Sequence, residues 1–343
     1  MRPEFTHWHP VLPSVELGSE PVPLRLLGQE IVIFRTETGR VGALVDMCPH
    51  RRMRLSKGRV QGEEIVCQYH GWRFARDGQG VSPATPRLSP CADHFEAVER
   101  HGAVWIRTPG SPSAFPRFDV AEFTAVPILR CTIEAPLAVV LDNFIEVEHT
   151  GTTHELLGYD PDRMDEVEVR VTPSADALEV FNAGPQKQLP WYIRRLFGLS
   201  PSDQFIDEWR SHFSPVYTVY DHWWRDAKTH KRRPKFLRTY VFFNPLDETE
   251  TELFVFSYAT HHWLNGLGLG PVLKWYTRGL LDREIQLDKE MIEALADKSE
   301  SLKGMSLSRF DRPLGEARRR IEKIYRQPAA GAQRPRESAS EED

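Results

Sequence analysis

The chain has 343 residues, of which 40% are apolar and 27% are charged, so it is long enough to bury the cores of two domains. Its formal net charge of −5 gives no basic field, which argues against nucleic acid as a partner. The opening residues, MRPEFTHWHPVLP, contain no apolar core of a secretory signal, and no stretch approaches the ~18 apolar residues of a membrane span. We therefore expect a cytoplasmic protein without membrane association.

The first third of the sequence alternates short β-type runs with turns. The runs are PLRLLGQEIVIFR, VGALVDM, EIVCQYHGWRF and AVWIRT, and turn residues such as Asp77-Gly78 separate them. The Pro- and Ser-rich segment at residues 109–118 is the best candidate for a linker. The pattern predicts a small antiparallel β-domain over residues 1–115.

Beyond the linker, further strand-like runs bracket one helical stretch near residues 137–149. Two helices follow them, at about residues 271–298 and 314–326. This order is typical of an α+β domain with an antiparallel sheet and a long helix, which we place at residues 116–327. Residues 328–343 contain almost no apolar side chains and are predicted to form a disordered tail.

Two short loops of the first domain each combine a cysteine with a histidine. Cys48 and His50 belong to the first loop, and Cys67 and His70 belong to the second. Two thiolates and two imidazoles are the ligand set of a Rieske [2Fe–2S] cluster, in which the cysteines bind one iron and the histidines bind the other. A Cys₂His₂ zinc site is the alternative, but zinc motifs usually pair Cys with Cys and His with His. The loops therefore indicate an iron–sulfur cluster.

A second candidate metal site lies in the segment DNFIEVEHTGTTH at residues 142–154. His149 and His154 are five residues apart in it, which places them about 140° apart around an ideal helix. Their imidazoles converge only if the helix ends or distorts, and Gly151 supplies a weak point. The alternative is a pair of surface histidines at a fraying helix end.

The two cluster loops and this segment together resemble the Rieske non-haem iron oxygenases, over residues 5 to about 326. Asn143, Glu146, His149 and His154 match the family motif N-x-x-[D/E]-x-x-H-x₄-H residue by residue. The resemblance implies a helix-grip catalytic domain and a mononuclear Fe(II) bound by His149 and His154. It points to the single-subunit-type members, such as the dicamba and vanillate O-demethylase oxygenases, which assemble as homotrimers.

A facial iron site with two histidines needs one further carboxylate, and the sequence offers Asp282 and Asp288. Leu281, Ile285, Asp288 and Ile292 are spaced four, three and four residues apart, so Asp288 falls on the apolar face of a helix and Asp282 on the solvated face. A buried unpaired carboxylate normally takes up a proton or finds a cation, and Fe(II) is such a cation. A core salt bridge to an arginine is the alternative for Asp288, which we predict as the third ligand.

The resemblance also implies roles for two residues that do not bind iron. An acid three residues before the first histidine, here Glu146, connects His149 to the cluster ligand His70 of a neighbouring subunit. Many family members have Asp at this position, so the geometry of the longer Glu146 side chain is left open. Asn143 lies near the iron in relatives, and a helix cap is its alternative role. We assign Glu146 and Asn143 to the catalytic site.

These features predict a terminal oxygenase that uses O₂ to hydroxylate, or to O- or N-demethylate, an apolar or aromatic organic substrate. The glycines at 266–270 have the wrong spacing for a dinucleotide fingerprint. Electrons from NAD(P)H should therefore arrive through a separate flavin reductase, a ferredoxin, or both. Two alternatives remain open, namely a Rieske electron-transfer protein without oxygenase chemistry and a zinc-stabilised binding protein.

Overall fold

The computed structural model describes residues 2–121, 123–260 and 270–327. The chain forms two compact units, residues 2–116 with 323–327 and residues 117–322. The predicted disordered tail at 328–343 and most of the glycine-rich segment lie outside the described residues. Among the helices that are described, none is long and apolar enough to cross a membrane.

The first unit consists of antiparallel strands joined by turns. Its strands are β1 (His9–Pro13), β2 (Val22–Leu26), β3 (Gln29–Arg35), β4 (Val41–Val45), β5 (Arg59–Gln61), β6 (Glu64–Val66), β7 (Arg73–Phe74), β8 (Gly80–Val81), β9 (His94–Arg100) and β10 (Ala103–Arg107). One sheet has the order β1-β10-β9-β4-β3-β2, and a second has the order β5-β6-β7-β8. Short 3₁₀ turns lie at Pro3–Thr6, Ser14–Glu16 and Leu55–Lys57. The prediction of an all-β N-terminal domain is confirmed.

The two faces of β3 pack into separate apolar clusters of this unit. Ile31 and Ile33 belong to one cluster, whereas Phe34 belongs to the other together with Cys48 and Cys67. Successive side chains of a strand point to opposite faces, so one short strand serves both clusters. The second cluster buries the two cysteines and thereby positions the loops that carry them.

The second unit is organised around one large antiparallel sheet. Its strands are β11 (Thr124–Ala125), β12 (Leu129–Ile133), β13 (Glu168–Pro173), β14 (Ala177–Pro185), β15 (Gln204–Phe213), β16 (Val216–Arg225), β17 (Arg232–Pro245) and β18 (Thr251–Ala259). They follow the order β11-β18-β17-β16-β15-β14-β13, and β12 also pairs with β18. Every residue of β18 is buried, because both faces of the sheet are covered at this strand.

Helices pack on this sheet. In the described part of the chain they are α1 (Leu137–Asn143), α2 (Trp191–Phe197), α3 (Gly270–Glu293) and α4 (Arg312–Arg320), with a π-helical turn at Ile321–Tyr325 and 3₁₀ turns at His149–Gly151 and Pro161–Glu166. The long helix α3 contacts α1 and β12, and α1 contacts β17. The predicted α+β class is confirmed.

The helix predicted near residues 137–149 is shorter in the structure, because α1 ends at Asn143. The carboxylate of Glu146 accepts hydrogen bonds from the backbone N–H groups of Glu148 and His149, which a continuing helix would direct to backbone carbonyls. His149 therefore begins a separate 3₁₀ turn. The long C-terminal helix also ends earlier than predicted, at Glu293.

Candidate metal centres

The two cysteine loops of the first unit have the same backbone construction. In each, the cysteine N–H donates to the carbonyl five residues later, and the cysteine carbonyl accepts from the N–H four residues later. The pairs are Cys48 with Met53 and Arg52, and Cys67 with Trp72 and Gly71, at 2.8–3.0 Å. The residue four positions after each cysteine has a positive φ, 56° at Arg52 and 68° at Gly71. Glycine enters this conformation freely, whereas arginine adopts it at an energetic cost.

These loops bury the sulfur ligands and expose the nitrogen ligands. Cys48 and Cys67 are buried free thiols, whereas His50 and His70 are exposed with ring centroids 4.4 Å apart. Trp72 stacks on His50 at 4.5 Å with an interplanar angle of 4°. The four residues that the sequence singled out thus lie together in one site, with the donor set that a Rieske cluster requires.

Burial and neighbouring groups shift the pKa values of these residues. Burial, together with the neighbouring Cys67, raises the pKa of the Cys48 thiol to about 11. Partial desolvation, His50 and Arg51 lower the pKa of His70, so its imidazole is neutral and available as a ligand. Bound iron would offset the cost of burying two thiolates.

In the second unit, His149, His154 and Asp288 converge from three separate elements. One ligand atom from each lies within 4.8 Å of the others. The Nε2 atoms of His149 and His154 lie 3.2 and 2.9 Å from Asp288 Oδ1. His149 is in a 3₁₀ turn, His154 is in an irregular loop, and Asp288 is on α3. Two imidazoles and one carboxylate in this arrangement fit a facial non-haem Fe(II) site.

The structure distinguishes the two candidate aspartates. Asp288 is 4% exposed and faces the histidines, whereas Asp282 is only partly buried and is not among them. Asn143 Nδ2 donates a hydrogen bond to Asp288 Oδ1 at 2.9 Å. Glu146 Oε1 accepts from Nδ1 of His149. Pairwise contacts therefore connect all four motif residues and Asp288, through His149 and Asp288. A contact between Glu146 and His70 of another subunit stays a prediction.

The electrostatics of the triad show a strong attraction for positive charge. Burial raises the pKa of Asp288, but hydrogen bonds from His149 and His154 outweigh it and hold this pKa below its usual range. Burial lowers the pKa of His149, but Asp288 and Glu146 outweigh it and raise this pKa to about 10. A divalent cation would satisfy the same carboxylates that hold protons on the imidazoles, so the residues fit a metal ion.

Glu284 is a buried carboxylate at this site that the sequence analysis missed. It accepts hydrogen bonds from the backbone N–H groups of residues 155–157 at 3.1–3.3 Å. Its Oε2 atom also lies 3.3 Å from Nδ1 of His154. The sequence could have indicated Glu284, because it precedes Asp288 by four residues and therefore lies on the same helix face.

Two further side chains hold the loop that contains His154. The ammonium of Lys187 donates to the carbonyls of residues 150, 151 and 154. The amide of Gln186 donates to the carbonyls of residues 156 and 158, both at 3.1 Å. This loop has no helix or strand of its own, so side chains from elsewhere satisfy its backbone groups. His154 is thereby held in place without a helix.

A cavity of about 100 Å³ adjoins the triad. The three candidate ligands line it, together with Asp207 and His222 from the inner face of the sheet. The sequence analysis missed both of these sheet residues. Alternate residues of each strand point inward, and most of these inward residues are apolar. A charged or titratable residue at an inward position was the sequence signal that could have identified Asp207 and His222.

Comparison with known proteins agrees with these observations. Residues 7–96 match the family model of the Rieske [2Fe-2S] domain. The chain is 33% identical over 162 residues to the phthalate 4,5-dioxygenase oxygenase subunit of Pseudomonas putida, which covers 43% of this chain and 37% of the relative. It is 32% identical over 174 residues to methylxanthine N1-demethylase NdmA of Pseudomonas putida, covering 45% and 48%. The chain thus spans less than half the length of these curated relatives.

The crystal structure of dicamba monooxygenase bound to 3,6-dichlorosalicylic acid matches 95% of this chain and 98% of its own chain, with a TM-score of 0.79 and 20% identity. At this identity the structural likeness shows the fold. The family model over residues 7–96 shows that the protein carries a Rieske [2Fe–2S] domain. Its fold is that of dicamba monooxygenase, which confirms the predicted resemblance to the Rieske non-haem iron oxygenases.

Proposed function

We propose that this protein is a terminal oxygenase component, which hydroxylates or demethylates an organic substrate with O₂ and electrons from its Rieske cluster. One observation carries the proposal. The chain combines Rieske loops with a second donor set of His149, His154 and Asp288, whose ligand atoms lie within 4.8 Å of one another. A protein that only transferred electrons would have no use for that second set.

In the Rieske domain, Cys48 and Cys67 would bind one iron, and His50 and His70 would bind the other. The cysteines are held by the group of buried apolar side chains that packs against one face of β3. The imidazole of His50 is held against Trp72, which restricts its rotation. The exposed histidines are the side through which electrons would leave the cluster.

In the second unit, His149, His154 and Asp288 would hold Fe(II), which when bound supplies the redox chemistry that activates O₂. Asn143 orients the Asp288 carboxylate by donating to Oδ1. Glu146 orients His149 by accepting from Nδ1. These residues and side chains of the sheet line the same cavity, so the substrate would bind there.

The proposal includes partners and an assembly. Electrons from NAD(P)H would arrive through a separate flavin reductase, a ferredoxin, or both. The phthalate 4,5-dioxygenase relative is named as an oxygenase subunit, which supports an oxygenase that receives its electrons from a separate protein. A homotrimer would place His70 of one subunit beside Glu146 of the next, so that Glu146 connects the two metal centres.

Metal content and turnover test the proposal. We expect brown protein with about three irons per chain and a reduced-state EPR signal of low average g, which two imidazole ligands produce. With a generic reductase, NADH and O₂, a substrate panel should give an oxygenated product. A His149→Ala variant should retain the cluster spectrum and lose product. Two irons per chain after anaerobic iron loading, without product, would instead identify an electron-transfer protein, and colourless zinc-loaded protein would identify a binding protein.

A further inference from the structure

The inner face of the large sheet carries a row of polar side chains next to the candidate iron site. Asn182 on β14 lies opposite Asp207 on β15, and Asp207 lies opposite His222 on β16. Directly opposite residues share one face of a sheet, so the three side chains lie side by side. They are 0%, 8% and 9% exposed, respectively. The row therefore places two titratable groups and an amide in the interior of the unit.

Four polar atoms in and beside this row have no hydrogen-bond partner among the described residues. They are Oδ1 of Asn182, Oδ1 of Asp207, Nδ1 of His222 and Nε1 of Trp209. His222 Nε2 lies 3.3 Å from Asp207 Oδ1, within ion-pair range but not aligned for a hydrogen bond. Trp209 is 4% exposed and lies on the same face of β15 as Asp207. Buried polar groups normally make hydrogen bonds, so four such atoms without one in the same place call for a binding partner.

The side chains that carry three of these four atoms adjoin the candidate iron site. Asp207, Trp209 and His222 all line the cavity that adjoins the triad. An ionised carboxylate only accepts hydrogen bonds, and an indole N–H only donates one. A molecule that satisfies both must carry an N–H or O–H donor and an acceptor. The imidazole of His222 can pair with either kind of group.

The charge of the cavity limits the ligand further. Its lining includes four acids, and no Lys or Arg is present among the described residues that line it. A metal ion at the triad would compensate the carboxylate there. At the polar row, Asp207 has His222 as its ion-pair partner. An anionic group placed against this row would meet a like charge in a poorly solvated site.

We infer that Asp207, His222 and Trp209 form a recognition subsite for a neutral or cationic substrate that carries an N–H or O–H donor next to an acceptor. Primary amides, lactams and hydroxy ketones have this pattern, and simple aromatic carboxylates do not. The inference rests on the proposed function and narrows its substrate class. Asp207 selects the donor and Trp209 selects the acceptor.

Three matched probes test this subsite in the metal-loaded protein. Benzamide has a donor and an acceptor, N,N-dimethylbenzamide has only the acceptor, and benzoate is an anion of the same ring. Isothermal titration under anaerobic conditions without reductant measures their binding in the absence of turnover. We expect benzamide to bind at least about tenfold more tightly than either of the other probes, since a hydrogen bond to a charged group is lost in each case.

Variants connect this preference to the named residues. Asp207→Asn keeps the shape but removes the charge, and should bring the benzamide-to-benzoate affinity ratio close to one. Trp209→Phe removes the indole donor while keeping an aromatic ring, and should weaken benzamide binding about tenfold, which keeps the test valid if Asp207→Asn does not fold. Glu179→Gln removes an exposed carboxylate from the opposite face of the same sheet and should leave the ratio unchanged.

The inference is overturned if benzoate binds as tightly as benzamide, if no probe binds, or if neither Asp207→Asn nor Trp209→Phe changes benzamide binding. Ordered water that satisfies the row would give one of these results. Failure of the subsite and failure of the proposed function can be told apart. Protein with only two irons that still prefers benzamide would refute the oxygenase, whereas turnover of aromatic carboxylates would refute only the subsite.

Discussion

Glu284 lies 3.3 Å from Nδ1 of His154, while Asp288, one turn further along the same helix, lies 2.9 Å from Nε2 of that imidazole. Helix α3 thus contacts both nitrogens of one candidate ligand. Glu284 also accepts the N–H groups of the three residues after His154. Nδ1 of His154 donates its hydrogen bond to the carbonyl of Leu157, which belongs to the segment that Glu284 holds. Groups that fix the far nitrogen of a metal-binding histidine fix the orientation of its ring, so Glu284 supports His154 through this loop and through its own negative charge.

This relationship predicts that Glu284→Gln weakens the mononuclear metal site without affecting the Rieske cluster. The substitution keeps the shape of the side chain but replaces an acceptor of three N–H groups with an amide. We expect the affinity for Fe(II) or Co(II) to fall about 10- to 100-fold, as removal of such a partner typically does. Competition with a chromophoric chelator measures the affinity, and the EPR signal of the reduced cluster should stay unchanged. Glu290→Gln, on the exposed side of α3, is the matched control. Equal metal affinity in the two variants would show that Glu284 has only a structural role.

The choice between two aspartates gives a second prediction. Asp288→Ala should lose mononuclear iron and turnover and keep the Rieske spectrum, because it removes the carboxylate that both imidazoles contact. Asp282→Ala should be nearly silent, since Asp282 lies away from the histidines. Iron analysis and visible spectra of both variants, with single-turnover product yields, decide the matter. Loss of iron in Asp282→Ala with retention in Asp288→Ala would mean that the proposed triad is wrong.

A third prediction concerns communication between the two centres. In iron-saturated protein, Glu146→Gln should retain both metals and the fold but slow product formation about 10- to 100-fold, because the neutral amide no longer orients His149 as the carboxylate does. The measurement is the rate at which the pre-reduced cluster is reoxidised on mixing with O₂ and substrate. Glu148→Gln, an exposed acid two residues away, is the control. Normal reoxidation in Glu146→Gln, with metal content verified, would show that electrons reach the iron by another route.

A fourth prediction follows from a buried histidine of the first unit. His7 Nε2 donates to the carbonyl of Tyr325 at 3.1 Å, and burial together with the nearby His9 lowers the pKa of His7 to about 4. The unfolded chain binds a proton at its ordinary pKa of about 6.5, so it gains protons before the folded chain does. The contribution of His7 to the free energy of unfolding is fully present above about pH 6.5. It decreases by up to about 3 kcal/mol as the pH falls towards 4.

Urea unfolding at about pH 7.5 and about pH 5 measures this effect. His7→Gln retains a donor for the Tyr325 carbonyl but cannot take up a proton, so its stability should depend less on pH than that of the unchanged protein. His230→Gln, at an exposed turn, should retain the full pH dependence. The same pH dependence in all three proteins would contradict the assignment to His7.

Much of the fold could be predicted because it follows from local patterns. The β-domain was visible in short apolar runs between turn residues, and its antiparallel character is observed. The end of α1 could not be predicted in the same way. Tyr220, which lies far away in the sequence, donates to the carbonyl of Phe144, and Glu146 takes the N–H groups of Glu148 and His149 that would have continued the helix. A helical pattern in the sequence does not show which side chain will compete for the backbone.

The sequence by itself indicated which residues are candidates for binding metal. Cys48 and His50, like Cys67 and His70, are close along the chain, so a few backbone torsions set their relative positions. Asp288 was found because a carboxylate on an apolar helix face must have a charged or polar partner. Only the tertiary structure decided how these residues are supported and what surrounds them. Glu284 holds a loop about 130 residues earlier in the chain, and Asp207 meets His222 through strand register. Such contacts depend on distances that packing of the whole unit creates, and no short-range pattern in the sequence contains them.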